Sequence, residues 1–119
     1  MIRDATQADL PCLAAGMVRL QEAHVRAFPE IYRPFEAGDA VAHLSALLSR
    51  PDAFVRVAVQ ADNVVGHVAF VIETRPESMF THAQRYGHIA QIEVAPEFRR
   101  HGYGRLLLAD CERLAAEHG

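Results

Sequence analysis

Residues 96–107 read PEFRRHGYGRLL, and the types and spacing in this stretch could bind an anion. Arg99, Arg100 and Arg105 surround Gly102 and Gly104, with His101 and Tyr103 interleaved. A strand-like run, HIAQIEV at 88–94, precedes the stretch, and a run with helical periodicity follows it. A chain that turns sharply into a helix leaves first-turn N–H groups without internal acceptors, at the positive end of the helix dipole. Glycine lets an anion reach those groups because no Cβ blocks the approach. Arginine adds charge-assisted hydrogen bonds. The chemistry these residues suit is recognition of a phosphate or diphosphate.

Two better-known phosphate motifs do not fit. A P-loop requires Lys and Ser/Thr after its last glycine, and here Arg105 and Leu106 follow Gly104. A dinucleotide fingerprint requires glycine or alanine where Leu107 stands. A G-x-G pair ahead of a helix also arises as a loop-to-helix turn without a ligand. On the pair alone both readings stay open.

The elements that would position this turn follow from periodicity. Ile2 and Arg3 begin a short strand, and Thr6 with Asp9 forms a capping signal ahead of a helix. Pro11 moves the helix start towards Asp9, because proline is tolerated only in a first turn. Leu13, Met17, Leu20, His24 and Phe28 recur at helical spacing until Pro29. Met17 and Phe28 are expected in the core. A second helix is expected from Asp39 to Ser49, with Val41, Leu44, Leu47 and Leu48 as its apolar stripe. FVRVAVQ and VVGHVAFVIE read as two strands joined at Ala61-Asp62-Asn63. ETRPESMFTHAQR reads as a loop and HIAQIEV as a third strand of this group. In the last helix Tyr103, Leu106, Leu107, Cys111 and Leu114 form the apolar face. The expected fold class is α/β (α+β), in the order β-α-α-β-β-β-α, with a mostly antiparallel sheet packed by helices.

The string IEVAPEFRRHGYGRLL resembles the GNAT acetyltransferase superfamily, whose signature is V-x-P-x-x-R/Q-x-x-G-x-G/A followed by an apolar helix. Val94, Pro96, Arg99, Gly102 and Gly104 match it in register. The opening IRDATQADLPCL is similar to the family's first strand and helix. HVRAFPEIYRPF is similar to the segment before the second helix in small-molecule members. The resemblance implies acetyl transfer from acetyl-coenzyme A to an amine, with a small molecule as acceptor. It implies that Arg99, Arg100, His101, Gly102, Tyr103, Gly104 and Arg105 cradle the pyrophosphate of coenzyme A. Ile92, Glu93 and Val94 would then lie along the pantetheine arm, which pairs with the strand as an added β-strand.

An amine acceptor with a pKa of roughly 10 must lose a proton before it attacks a thioester. Glu93 is the first candidate to take it and His88 the second. The plainer reading of Glu93 is an exposed strand carboxylate paired with an arginine. Small-molecule relatives often carry an acidic residue at the position of Ala90, and alanine cannot take a proton. His67, within an apolar strand, reads as a core histidine with its hydrogen bonds satisfied. Cys111 reads as core packing.

The resemblance also implies elements beyond Gly119: a further strand, a helix that often bears a tyrosine, and a closing hairpin. Residues 1–119 therefore read as a single, incomplete domain of this type. The alternatives are a non-catalytic coenzyme A or anion-binding module and a fragment lacking the acceptor half. An open sheet edge at 88–94 would then invite a second copy to form a homodimer.

The bulk numbers set outer bounds. The chain has 119 residues and a formal charge of −3, which argues against nucleic acid as a partner. Cys12 and Cys111 match no disulfide framework and no zinc spacing, so no metal is expected. No secretory signal and no membrane-length apolar run is evident, and the expected location is the cytoplasm.

Overall fold

The computed structural model describes residues 1–118. Strand β1 spans Ile2–Asp4 and a 3₁₀ turn spans Gln7–Asp9, followed by helices α1 (Leu10–Ala27) and α2 (Ala37–Leu48). Strands β2 (Ala53–Gln60), β3 (Asn63–Arg75) and β4 (Gln84–Val94) come next. A second 3₁₀ turn at Pro96–Phe98 then leads into helix α3 (Tyr103–His118). The element order is the expected one. The strands form one sheet in the order β1-β2-β3-β4, antiparallel at every junction.

Local chemistry sets the element ends. The Thr6 N–H donates to Asp9 Oδ2 at 2.7 Å, and Arg3 donates to both oxygens of the same carboxylate at 2.8 and 3.1 Å. That cluster fastens β1 to the head of α1. The Arg3 bonds, with the Thr6 N–H, hold the Asp9 carboxyl down to about 2. Pro11 sits in the first turn of α1, where its missing N–H costs nothing. The β2–β3 hairpin turns at Ala61 (φ 49°) and Asp62 (φ 65°). This pair of positive φ values matches the right-handed twist of the flanking strands.

The sheet is covered on both faces. Helices α1 and α2 pack Leu10, Leu13, Ala14 and Leu44 against Val57 and Ala69 on one face. On the other, α3 packs Leu107, Cys111 and Leu114 against Val65, Val68 and Phe70. Strand β3 is central and buried on both sides, so it reads as a continuous apolar run. A network ties the layers together: Arg56 of β2 reaches Asp110 of α3 at 2.8 Å and Asp4 of β1 at 2.8 Å.

Four expectations are corrected. The 73–85 segment is not all loop: β3 runs on to Arg75 and β4 begins at Gln84. Backbone pairing (Glu73↔Tyr86, Arg75↔Gln84) extends the ladder through residues that are polar on both faces and show no alternation. Helix α2 starts at Ala37, because Glu36 lies outside it in extended conformation and its N–H bonds Asp39 Oδ2 at 3.0 Å. Phe28 is 52% exposed, since it lies just past the last turn of α1. Leu106 is 51% exposed, pointing to the solvent side of Leu107.

Candidate active site

Strand β4 is an edge of the sheet, and it carries a bulge. Ala69 of β3 faces Gln91 while Phe70 faces Ile89, so Ala90 is an extra residue without a partner. A bulge interrupts the ladder and bends the strand locally. Beside it lies a cleft of about 600 Å³ between α1, the α1–α2 connection and β4. Ile89, Ala90, Gln91 and Ile92 form its β4 wall. Met17, Leu20 and His24 of α1 oppose them, with Tyr32 and Phe35 from the connection. The volume is typical of small-molecule sites.

The α1–α2 connection is fixed to α1. Gln21 Nε2 donates to the Arg33 carbonyl at 2.7 Å, and the Tyr32 N–H donates to the Phe28 carbonyl at 3.0 Å. The Tyr32 ring stacks on His24 with centroids 4.9 Å apart and planes 27° off parallel. In sequence His24 stood out for helical spacing and HVRAFPEIYRPF for its family resemblance, but nothing there joined them into a cleft wall.

The polar wall of the cleft is held from behind. Gln91 Nε2 lies 3.1 Å from His67 Nε2, and His67 is 1% exposed. Burial lowers the His67 pKa to about 4, with the Arg19 charge as a second cause, so the ring is neutral at physiological pH. With the amide nitrogen donating, Nε2 is the bare ring nitrogen and the proton sits on Nδ1. The Gln91 carbonyl oxygen then remains free to accept. His67 is thus the satisfied core histidine that the sequence suggests, and its partner could not be read from local pattern.

Glu93 is buried, at 6% exposed, where the plainer sequence reading placed it in solvent. Its Oε1 lies 3.1 Å from Arg19 Nη2 and 4.0 Å from Arg99 Nη2. A Cβ at Gly16 would come within 2.7 Å of Oε2, so only glycine lets α1 approach this carboxylate so closely. Glu93 borders a small cavity of about 30 Å³ together with Cys12, Arg19 and His67. It does not line the large cleft, and neither does His88, which is exposed. The register pairs His88 with Val71 and Glu93 with His67, which puts both on the α1–α2 face of the sheet. Ile92 and Val94 point the other way and pack against the α3 core, leaving only their backbone at the open edge.

After Val94 the chain passes through the second 3₁₀ turn into the glycine-containing turn. The Arg99 guanidinium folds back, with Nε donating to the Val94 carbonyl at 3.1 Å. Arg100 (φ 67°) and Gly102 (φ 85°) adopt left-handed conformations. The first helical bond of α3 runs from the Leu106 N–H to the Gly102 carbonyl at 3.1 Å. Among the described residues, no protein group accepts from the N–H of Arg100, His101, Gly102, Tyr103, Gly104 or Arg105. A Cβ built at Gly102 or Gly104 would meet nothing within 4 Å. Unpaired amides ahead of a helix, beside open space, fit a diphosphate. Tyr103 is half-buried, edge-on to Phe98 with centroids 6.3 Å apart. Arg100, His101 and Arg105 are exposed around the turn.

No group of three or more His, Cys, Asp or Glu residues suited to a metal occurs among the described residues. No helix there is long and apolar enough to cross a membrane.

The model of the acetyltransferase (GNAT) family matches residues 17–119. No curated protein matches the chain. Among solved structures, the tetramutant of BH1408 protein from Bacillus halodurans superposes with a TM-score of 0.93 at 22% identity, covering 99% of this chain and 76% of that one. An acetyltransferase from Vibrio fischeri gives 0.80 at 23% identity, covering 100% and 88%. The aminoglycoside 6'-N-acetyltransferase AAC(6')-IG from Acinetobacter haemolyticus gives 0.72 at 18% identity, covering 99% and 72%. At these identities the superpositions establish a shared fold.

Proposed function

The chain belongs to the GNAT acetyltransferase family, and from that premise we propose that it transfers an acetyl group from acetyl-coenzyme A to the amine of a small-molecule acceptor. One observation carries the reading: the run of amides from Arg100 to Arg105 has no internal acceptor, and the space where a Cβ would sit at Gly102 and Gly104 is open. Such a turn supports a diphosphate through main-chain N–H groups, with Arg100 and Arg105 at its margin. From there the open edge of β4 leads back past Val94 and Ile92 to the bulge at Ala90. An amide-bearing arm can hydrogen-bond along that edge as an added strand.

Acetyl-coenzyme A supplies an activated thioester when bound. The chain has three tasks: to seat the cofactor's phosphates, to hold the acceptor in the cleft beside the bulge, and to accept the amine's proton. We assign the proton to Glu93, with His88 as second candidate. Oε1 of Glu93 is engaged by Arg19, so the remaining oxygen, Oε2, would take the proton by way of solvent. Without coenzyme A, the open β4 edge is also where we place a second copy of the chain, since unpaired strand edges favour strand pairing. Light scattering at micromolar concentration reads that out, and a monomer would exclude it.

Calorimetric titration with coenzyme A tests the cradle. Thiol release from acetyl-coenzyme A in the presence of amines tests transfer. Binding without release on any amine would turn the assignment to a non-catalytic coenzyme A-binding module. No binding would remove the reading altogether.

A further inference from the structure

The chemistry of the cleft wall narrows the acceptor. Among the described residues, none that lines the cleft carries a carboxylate. Its surface is mainly apolar and aromatic, from Met17, Leu20, Tyr32 and Phe35. His24 and Tyr32 stack on each other in this wall, and the Gln21 bond to the Arg33 carbonyl ties the connection to α1 beside them. The adjoining hollow beyond Met17 and Phe35 does contain Asp39. That carboxylate accepts the Glu36 N–H through Oδ2 at the start of α2 and does not line the cleft itself. A cation with several charges brought against the cleft wall would lose water without gaining a partner, which is costly. A ring or branched apolar group would instead bury its surface on the aromatic wall.

On the β4 wall the polar side chain is Gln91, and it is held from behind. Its amide nitrogen is committed to the buried, neutral His67, so its carbonyl oxygen is the available acceptor. A single amine N–H satisfies one carbonyl, whereas a row of ammonium groups requires several.

We infer that the acceptor is a primary amine carried on an apolar, aromatic-sized body, with one amine N–H received by the Gln91 carbonyl, and not a polycation. The inference rests on the acetyl-transfer reading for its chemistry, but the binding it describes can be measured without cofactor. The test titrates the protein with 2-phenylethylamine, spermidine and kanamycin by calorimetry, and follows thiol release from acetyl-coenzyme A with each. 2-Phenylethylamine is expected to bind, and to be used with a kcat/KM at least about tenfold above either polycation, a difference one lost charge interaction can produce. Tyr32→Ala should weaken 2-phenylethylamine binding roughly three- to tenfold, the worth of one aromatic contact, while Tyr32→Phe retains it. Tyr32 is 39% exposed, and thermal melts of both variants establish that they fold. Absent binding of 2-phenylethylamine, equal or better use of a polycation, or unchanged affinity in folded Tyr32→Ala would each overturn the inference. Binding of 2-phenylethylamine without thiol release would uphold the cleft assignment and sink acetyl transfer instead.

Discussion

Arg19 and Glu93 are 74 residues apart in the chain, yet the Arg19 guanidinium lies 3.1 Å from the Glu93 carboxylate. The pair joins α1 to the end of β4, just before the glycine-containing turn. Gly16, one turn earlier on α1, leaves the room that the carboxylate occupies. The same side chain thus braces the fold and is the assigned proton acceptor.

Those two roles separate experimentally. Glu93→Gln should reduce kcat about a hundredfold or more, as loss of a general base does. Arg19→Met leaves the buried carboxylate without its main partner and should cost about 1–2 kcal/mol in chemical denaturation, a modest figure because Arg19 is partly solvated. If Glu93→Gln loses stability while kcat persists, Glu93 is a brace alone. His88→Gln then becomes the variant in which kcat should fall.

Gly104→Val tests the cradle with little backbone strain, because Gly104 lies inside α3 and its Cβ would enter open space. Gly102 is a poorer choice, since at φ 85° any side chain is strained. Coenzyme A affinity should fall at least about tenfold in Gly104→Val, equivalent to about 1.4 kcal/mol. An unchanged dissociation constant by calorimetry would show that nothing occupies this space.

His67 predicts an acid-sensitive stability. Burial sets its folded pKa at about 4, against 6.5 for the free side chain. The folded state therefore resists a proton that the unfolded chain accepts. Stability is complete above pH 6.5 and falls as pH drops from 6.5 to 4, by about 3 kcal/mol. Replacing His67 with glutamine should flatten that window in urea titrations, provided the variant folds at neutral pH. Asp9 acts separately: its stabilisation is present above the ordinary carboxylate range and is lost as pH falls towards 2.

The thiols should divide cleanly. Cys12 is exposed, whereas Cys111 is buried and its pKa is raised to about 11, chiefly by burial. A disulfide-exchange reagent at pH 8 should modify Cys12 in the native protein and Cys111 only after unfolding. Rapid native modification of both would mean that the α3 core opens readily.

Asp110→Asn should cost about 2 kcal/mol. Burial pushes the Asp110 carboxyl up, but bonds from Arg56 and Arg113 outweigh it and leave the carboxyl below its ordinary value. Removing the charge leaves Arg56 with only the exposed Asp4 as partner. The loss is smaller than for a sealed pair because Arg56 keeps some contact with solvent.

The sequence alone determined whatever depends on neighbours a few residues away. Apolar spacing marked Leu13 and Met17 on one helix and Leu107, Cys111 and Leu114 on another, and a valine run marked the buried strand. Glycines among arginines marked the anion-suited turn. Periodicity is a local property, and dipoles at a helix head need only the helix. Tertiary structure alone decided which distant groups meet: Arg19 with Glu93, His67 with Gln91, and Arg56 with Asp4 and Asp110. It also set the bulge at Ala90 and the extension of β4 back to Gln84, because strand register is fixed by pairing with β3 and leaves no local pattern in polar residues. The cleft belongs to this second class, since its walls come from segments that only the packing of α1 on the sheet brings together.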